Sequence, residues 1–378
     1  MKKSLAVLSF VLLIASALFA EQFPVKEAVG PFVDANEFAG AVTVVADKDK
    51  VLQLDLFGYA NIEEKVPMSA DTPVWIASQS KPITTVAVMM LVDEGKLDLD
   101  KPATDYLPEL KDLRVGVKQE DGNILLVPVE KPITLRLLLS HKSGMEWVPM
   151  LQQKHKVDVL PFSKALTVCV MTPLKSQPGT EHSYSNMSIN IAATIVERVT
   201  GMLFEDFLDQ RLFGPLGMKD TTFWPTPEQM KKLAIIYRKD KESGKLVPVP
   251  NGQLTYPLED RKIRHPEAGG GLFSTPNDLV KFYQMLLGKG EYQGRRFLKP
   301  ESVAEIAKKQ LGFPHDYGLG AATKDGVFGH GGACGTDSKV DTNVDLTYLW
   351  FVQVEGIPEA GKAKEAFFKV VRETAAKK

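Results

Sequence analysis

Ser78 and Lys81 stand three residues apart in Ala77-Ser78-Gln79-Ser80-Lys81-Pro82-Ile83-Thr84. A serine hydroxyl is a weak nucleophile until a base takes its proton. A lysine amine can be that base if burial or a nearby positive field keeps it neutral. The spacing puts both side chains on one helix face. Ile83, Ala87, Met90 and Leu91 continue a helical stripe that Gly95 stops, which predicts an amphipathic helix from about Ser78 to Glu94. Pro82 fits only a first turn, where no N–H is needed. Ser78 is therefore placed at a helix N-terminus, whose free N–H groups and dipole suit a developing oxyanion.

Two later stretches carry further chemistry. In Gly179-Thr180-Glu181-His182-Ser183-Tyr184-Ser185-Asn186, Tyr184 can relay a serine proton and Asn186 can bond both substrate and lysine through its amide. In His330-Gly331-Gly332-Ala333, the glycines admit a ligand close to the backbone. The Ala333 N–H can then join that of Ser78 as an oxyanion hole. His330 adds a titratable donor with an ordinary pKa of about 6.5.

Elements able to position these groups are legible along the chain. Gly40–Ala46 and Val51–Tyr59 alternate as two strands around Asp47-Lys48-Asp49-Lys50. Leu113–Val117 and Ile124–Val127 flank the turn signal Asp121-Gly122. Helical patterns cover Thr134–Leu139, Ser188–Val199 and Phe204–Leu212, and residues 225–266 read as a polar surface excursion. After Gly269-Gly270-Gly271 come helices at Asp278–Leu287 and Ser302–Lys309, then strand signals at Gly326–Phe328, Ser338–Asp341 and Thr347–Val354. A last helix is expected from about Glu359 to Ala375. Strands thus lie at both chain ends and helices between them. The expected fold class is α+β: an antiparallel sheet flanked by helices, residues 21–105 and 262–378, with a mainly helical inserted domain, residues 106–261.

The three motifs together resemble the serine β-lactamase-like superfamily, within it class C β-lactamases, DD-peptidases and related esterases. Leu138-Leu139-Ser140-His141-Lys142-Ser143-Gly144, Gly269-Gly270-Gly271-Leu272 and Phe328-Gly329 support the resemblance, which covers nearly the whole mature chain. It implies an acyl-enzyme on Ser78, proton management by Lys81 and Tyr184, and substrate orientation by Asn186, while His330, Gly331, Gly332 and Ala333 are read from their own chemistry as substrate-binding. Which of Lys81 and Tyr184 is the base stays open here. Efficient β-lactamases of this type carry Lys-Thr-Gly where this chain has His330-Gly331-Gly332. With the hydroxyl absent and the charge conditional on pH, an ester or D-amino-acid peptide is favoured over a β-lactam. The alternative is a penicillin-binding or β-lactam-sensing protein that is acylated without efficient turnover.

Composition bounds the rest. The 378 residues are 44% hydrophobic and 25% charged with a formal net charge of −1, so no nucleic-acid partner is indicated. Met1-Lys2-Lys3 and the apolar run Leu5–Ala20 read as a signal peptide over residues 1–20, which predicts a secreted or periplasmic protein with no stable membrane span after cleavage. No Gly-x-Ser-x-Gly elbow, His-Glu-x-x-His or paired-cysteine spacing occurs, so neither an α/β-hydrolase site, a metal nor another cofactor is expected. Cys169 and Cys334 are the two cysteines, and whether they pair is open.

Overall fold

The computed structural model describes residues 23–148, 156–310 and 316–377. The expected signal peptide lies outside them.

Seven strands form one antiparallel sheet in the spatial order Ala322–Lys324, Val327–Gly331, Asp337–Asp341, Leu346–Phe351, Gly40–Ala46, Val51–Asn61, Val66–Pro67. The two chain ends meet at its centre, where Val44 pairs with Leu349 on one side and Leu54 on the other. Every residue of Gly40–Ala46 is buried, because helices cover both faces. Side-chain alternation divides the strand between two cores. Ala41 and Val45 join Tyr348 and Trp350 beneath the helices Val25–Asp34 and Pro358–Ala375. Val42, Val44 and Ala46 face the larger core with Ile83, Val86, Phe282 and Met285.

The helices of the middle segment pack into this larger core. Asn186–Thr200 buries Ile189, Ala192, Ile195 and Val196 and stops at Gly201, which takes the left-handed conformation at φ 68°. Residues 225–266 are largely the surface excursion that their polarity suggested, with a hairpin of Ile236–Lys239 and Leu246–Val249 around Ser243-Gly244, but the segment is anchored at several buried points. Tyr237, Leu254 and Leu258 are buried there. The anchor is an ion pair closed to water: Arg264 Nε donates to Asp158 Oδ2 at 2.5 Å, and both side chains are 1% exposed or less. Thr255 donates its N–H and hydroxyl to the same carboxylate. A buried charge is tolerated only when paired and hydrogen-bonded in this way.

Cys169 and Cys334 are unpaired. Cys169 is buried with its Sγ 4.0 Å from Met145 Sδ, so it serves as a small core hydrophobe. Among the described residues no single helix is long and apolar enough to cross a membrane.

Candidate active site

Ser78 sits in a one-turn 3-10 segment, Ala77–Gln79, that runs directly into the helix Ser80–Asp93. Pro82 occupies the first turn of that helix. Ala77 adopts a left-handed backbone, φ 47°, which an alanine takes only when its surroundings hold it there. Three contacts do so. Ile76 N–H donates to Leu272 O, Trp75 Nε1 donates to Gly270 O, and Ser80 Oγ donates to Ala77 O. The neighbours Ala77, Gln79, Ser80 and Lys81 are buried while Ser78 is partly exposed. The strain thus presents one hydroxyl outward from an otherwise closed turn.

Lys81 is fully buried and its Nζ donates three bonds, to Ser78 Oγ at 3.1 Å, Asn186 Oδ1 at 2.8 Å and Gly269 O at 2.6 Å. Burial pushes its pKa down to about 7, against the opposing pull of the Glu267 carboxylate. The amine also stands 4.5 Å from the centroid of the Tyr184 ring. Tyr184 lies at the mouth of the site, within hydrogen-bond reach of Ser78, and its pKa is raised to about 12 by loss of solvent. Ser185 caps the following helix by accepting from Ser188 N–H, which fixes Asn186 at the first helical position beside the lysine.

The strand Val327–Gly331 brings the third motif against the nucleophile. A side chain at Gly332 would place its Cβ 2.4 Å from Ile76 O and 2.3 Å from Thr336 Oγ1, so only glycine permits this approach. Ala333 follows in a short 3-10 turn. Among the described residues no acceptor engages the N–H of Ser78 or Ala333, which leaves both amides available to a developing oxyanion.

His330 behaves differently from the expected substrate donor. It is 8% exposed and both ring nitrogens are spent within the protein, on Tyr317 and on the Gly331 carbonyl. Burial first, and then the charge of Lys81, hold its pKa down to about 3. The imidazole therefore stays neutral across the physiological range. These surroundings oppose the gain of charge on acidification that its residue type suggested.

Three contributors escaped the motif reading, and a fourth, Gly269, figured there only within a supporting stretch. The Gly269 carbonyl holds Lys81, as described. Glu267, 1% exposed, accepts from Asn190 Nδ2 at 2.7 Å and from Gly269 N–H at 3.2 Å, and burial raises its pKa to about 7. Asn190 sits one turn after Asn186 and also accepts from Ala268 N–H. Its polarity on the buried face of an apolar helix was the available signal. Tyr317, before Gly318-Leu319-Gly320, carried none. Among the described residues no cluster of His, Cys, Asp or Glu can hold a metal ion.

The Beta-lactamase family model matches residues 25–366. Protein Rv1367c of Mycobacterium tuberculosis is 33% identical, with 90% of this chain and 95% of that protein covered. Esterase EstB of Burkholderia gladioli is 26% identical over 78% of this chain and 75% of its own length. Among solved structures, simvastatin synthase of Aspergillus terreus superposes with a TM-score of 0.79 at 23% identity, covering 92% of this chain and 96% of that one. That likeness establishes the shared fold.

Proposed function

The chain belongs to the Beta-lactamase family, and from that premise we propose that it is a secreted serine hydrolase that forms an acyl-enzyme on Ser78 from a small ester or D-amino-acid peptide. The observation that carries this reading is the buried Lys81 amine, 3.1 Å from the one exposed hydroxyl of the turn and with its pKa lowered to about 7.

The two shifts divide the proton work. An amine near pKa 7 is substantially neutral at working pH and matches the ideal for a general base. A phenol near 12 keeps its proton. In the neutral amine two N–H groups stay on Asn186 Oδ1 and Gly269 O, and the lone pair accepts from the Ser78 hydroxyl, so that as Ser78 Oγ attacks the acyl carbon its proton passes to Lys81 Nζ. The Ser78 and Ala333 N–H groups hold the oxyanion. On collapse, Tyr184 donates its phenolic proton to the leaving oxygen or nitrogen and regains one from the Lys81 ammonium. Water then attacks the acyl-serine by the same steps in reverse order, and serine and amine recover their starting states. Asn186 fixes Lys81 Nζ throughout by its 2.8 Å bond. An uncharged ester is the preferred donor, because neutral His330 offers no charge to a substrate carboxylate. The relative named as an esterase is in keeping with this.

Intact-mass spectrometry after exposure to an aryl ester, a β-lactam and a D-alanyl-D-alanine peptide tests the reading. Transient acyl adducts that map to Ser78, with steady release of product, are expected. A stable β-lactam adduct without turnover would instead indicate a sensor, and no adduct from any of the three would refute the proposal. Export is tested by N-terminal sequencing of the mature protein, which should begin near Glu21.

A further inference from the structure

Among the described residues the Tyr317 hydroxyl is hydrogen-bonded to none of the groups assigned a chemical step. The residue lies just ahead of the sheet's edge strand, and its hydroxyl is 3.1 Å from His141 Nε2 and 3.1 Å from His330 Nε2. The remaining ring nitrogens are engaged too. Ser185 N–H donates to His141 Nδ1 at 3.2 Å, and His330 Nδ1 lies 2.5 Å from the Gly331 carbonyl.

These partners leave one arrangement of protons. A backbone N–H only donates, so His141 Nδ1 is bare. A carbonyl only accepts, so His330 Nδ1 carries hydrogen. A neutral imidazole has one N–H. His141 therefore bears it on Nε2 and donates to the Tyr317 oxygen, and the Tyr317 hydroxyl donates to the bare Nε2 of His330. The chain runs in one direction, from Ser185 N–H through His141, Tyr317 and His330 to Gly331 O. Burial keeps both imidazoles neutral and the phenol protonated. The charged or titratable groups facing them are Lys81 and His182 at His141, Lys81, Lys339 and Asp337 at His330, and Tyr184 at Tyr317.

The two ends of this chain adjoin two groups of the proposed chemistry, Tyr184 and the Ala333 N–H. His141 brackets Tyr184. Its carbonyl accepts from Ser183 N–H at 2.8 Å, its Nδ1 accepts from Ser185 N–H, and its ring centroid is 4.5 Å from that of Tyr184. It does this from a left-handed backbone, φ 58°, so the loop is held rather than relaxed. At the other end, Gly331 opens the run to Ala333. We propose that Tyr317 is a positioning residue, whose single hydroxyl fixes the Tyr184 loop against the strand Val327–Gly331 that leads to Ala333. The role rests on the acyl-enzyme reading of Ser78.

Two measurements test it. The first is histidine ring 15N NMR on the unmodified protein. The Nε2–H tautomer is expected for His141 and the Nδ1–H tautomer for His330. The opposite tautomer at either ring overturns the proposal. The second is Tyr317→Phe, which keeps the ring and removes the bridge. Turnover of an aryl ester per acylatable Ser78, counted by burst titration, should fall about ten- to a hundredfold, with KM within about threefold, because the geometry lost matters in the transition state. A purely structural tyrosine would lower the number of active sites and the melting temperature but not turnover per site, and that result would refute the role. The tautomers do not depend on turnover. An unmodified protein that failed to acylate Ser78 would therefore refute the acyl-enzyme reading, while the ring signals still decide the arrangement of Tyr317.

Discussion

Replacing Glu267 by glutamine should move the pH profile of the reaction toward acid. The carboxylate is buried two residues before Gly269, whose carbonyl holds Lys81, and its charge is what raises the lysine's pKa against burial. A unit charge at an effective dielectric of about 20 is worth about 4 kcal/mol at about 4 Å and less further away, and Glu267 acts on Lys81 through space with Gly269 between them. Glu267 itself titrates near 7, so it carries only part of that charge where the lysine titrates. The observable shift is then about one unit. The sign follows from the role. Lys81 acts as a base when neutral, so kcat/KM falls as pH drops through its pKa. Removing the carboxylate lowers that pKa, and the acidic limb moves down. Glutamine keeps an acceptor for Asn190 Nδ2 but sets an amide NH2 against Gly269 N–H. The unmade bond costs about 1–3 kcal/mol of stability, to be read separately by thermal melting. The assay is kcat/KM for an uncharged aryl ester at half-unit steps across the neutral and acidic range. An acidic limb that stays in place or moves up would show that Glu267 does not set the basicity of Lys81.

Ser78→Ala should abolish both ester hydrolysis and the acyl adduct while leaving the melting temperature within a few degrees, and hydrolysis at the original rate by the folded variant would contradict the assignment. Lys81→Ala and Tyr184→Phe should each lower kcat strongly, and the double variant should cost far less than the product of the two, because groups that share one proton path are not additive; fully multiplicative losses would argue for separate paths. Asp158→Asn should destabilise by about 3–5 kcal/mol, because it strands the buried Arg264 charge, and a denaturant midpoint that does not move would show the pair to be dispensable. Gly332→Ala should abolish turnover through the clash with Ile76 O, with substrate-free stability as the control; turnover at the original rate would show that this close approach is not needed.

How much of this was legible in sequence differs from one residue to the next. Ser78, Lys81 and Pro82 announced a helix start because a proline and a glycine stop bound the pattern locally. Gly40–Ala46 and Val51–Asn61 were legible because alternation is a local signal, and their union with late strands followed from strands at both chain ends. The helix Val25–Asp34 was not foreseen. Pro31 interrupts its pattern, and its burial against Pro358–Ala375 is a tertiary effect that overrides propensity. The edge strands Ala322–Lys324 and Val66–Pro67 are too short to show a period. In the site, residue type marked His330 as a titrating donor. The environment that keeps it neutral is its burial and then the charge of Lys81, a residue distant in sequence. Glu267 gave no signal because it lies in a loop and the asparagine that satisfies it sits on a helix far away in sequence.

The order of strands in the sheet also sets when a working site can first exist. Val327–Gly331 reaches the nucleophile's side of the sheet only through Asp337–Asp341 and Leu346–Phe351, and the last of these docks on Gly40–Ala46. A chain still being synthesised already holds Ser78, Lys81 and Tyr184, yet its first strand waits with an open edge until Phe351 has been added. Closing so long a loop is slow and comes late. A half-made chain therefore holds Ser78 and Lys81 without the strand that leads to Gly331 and Gly332, and the proposed site cannot assemble before Phe351 has been added.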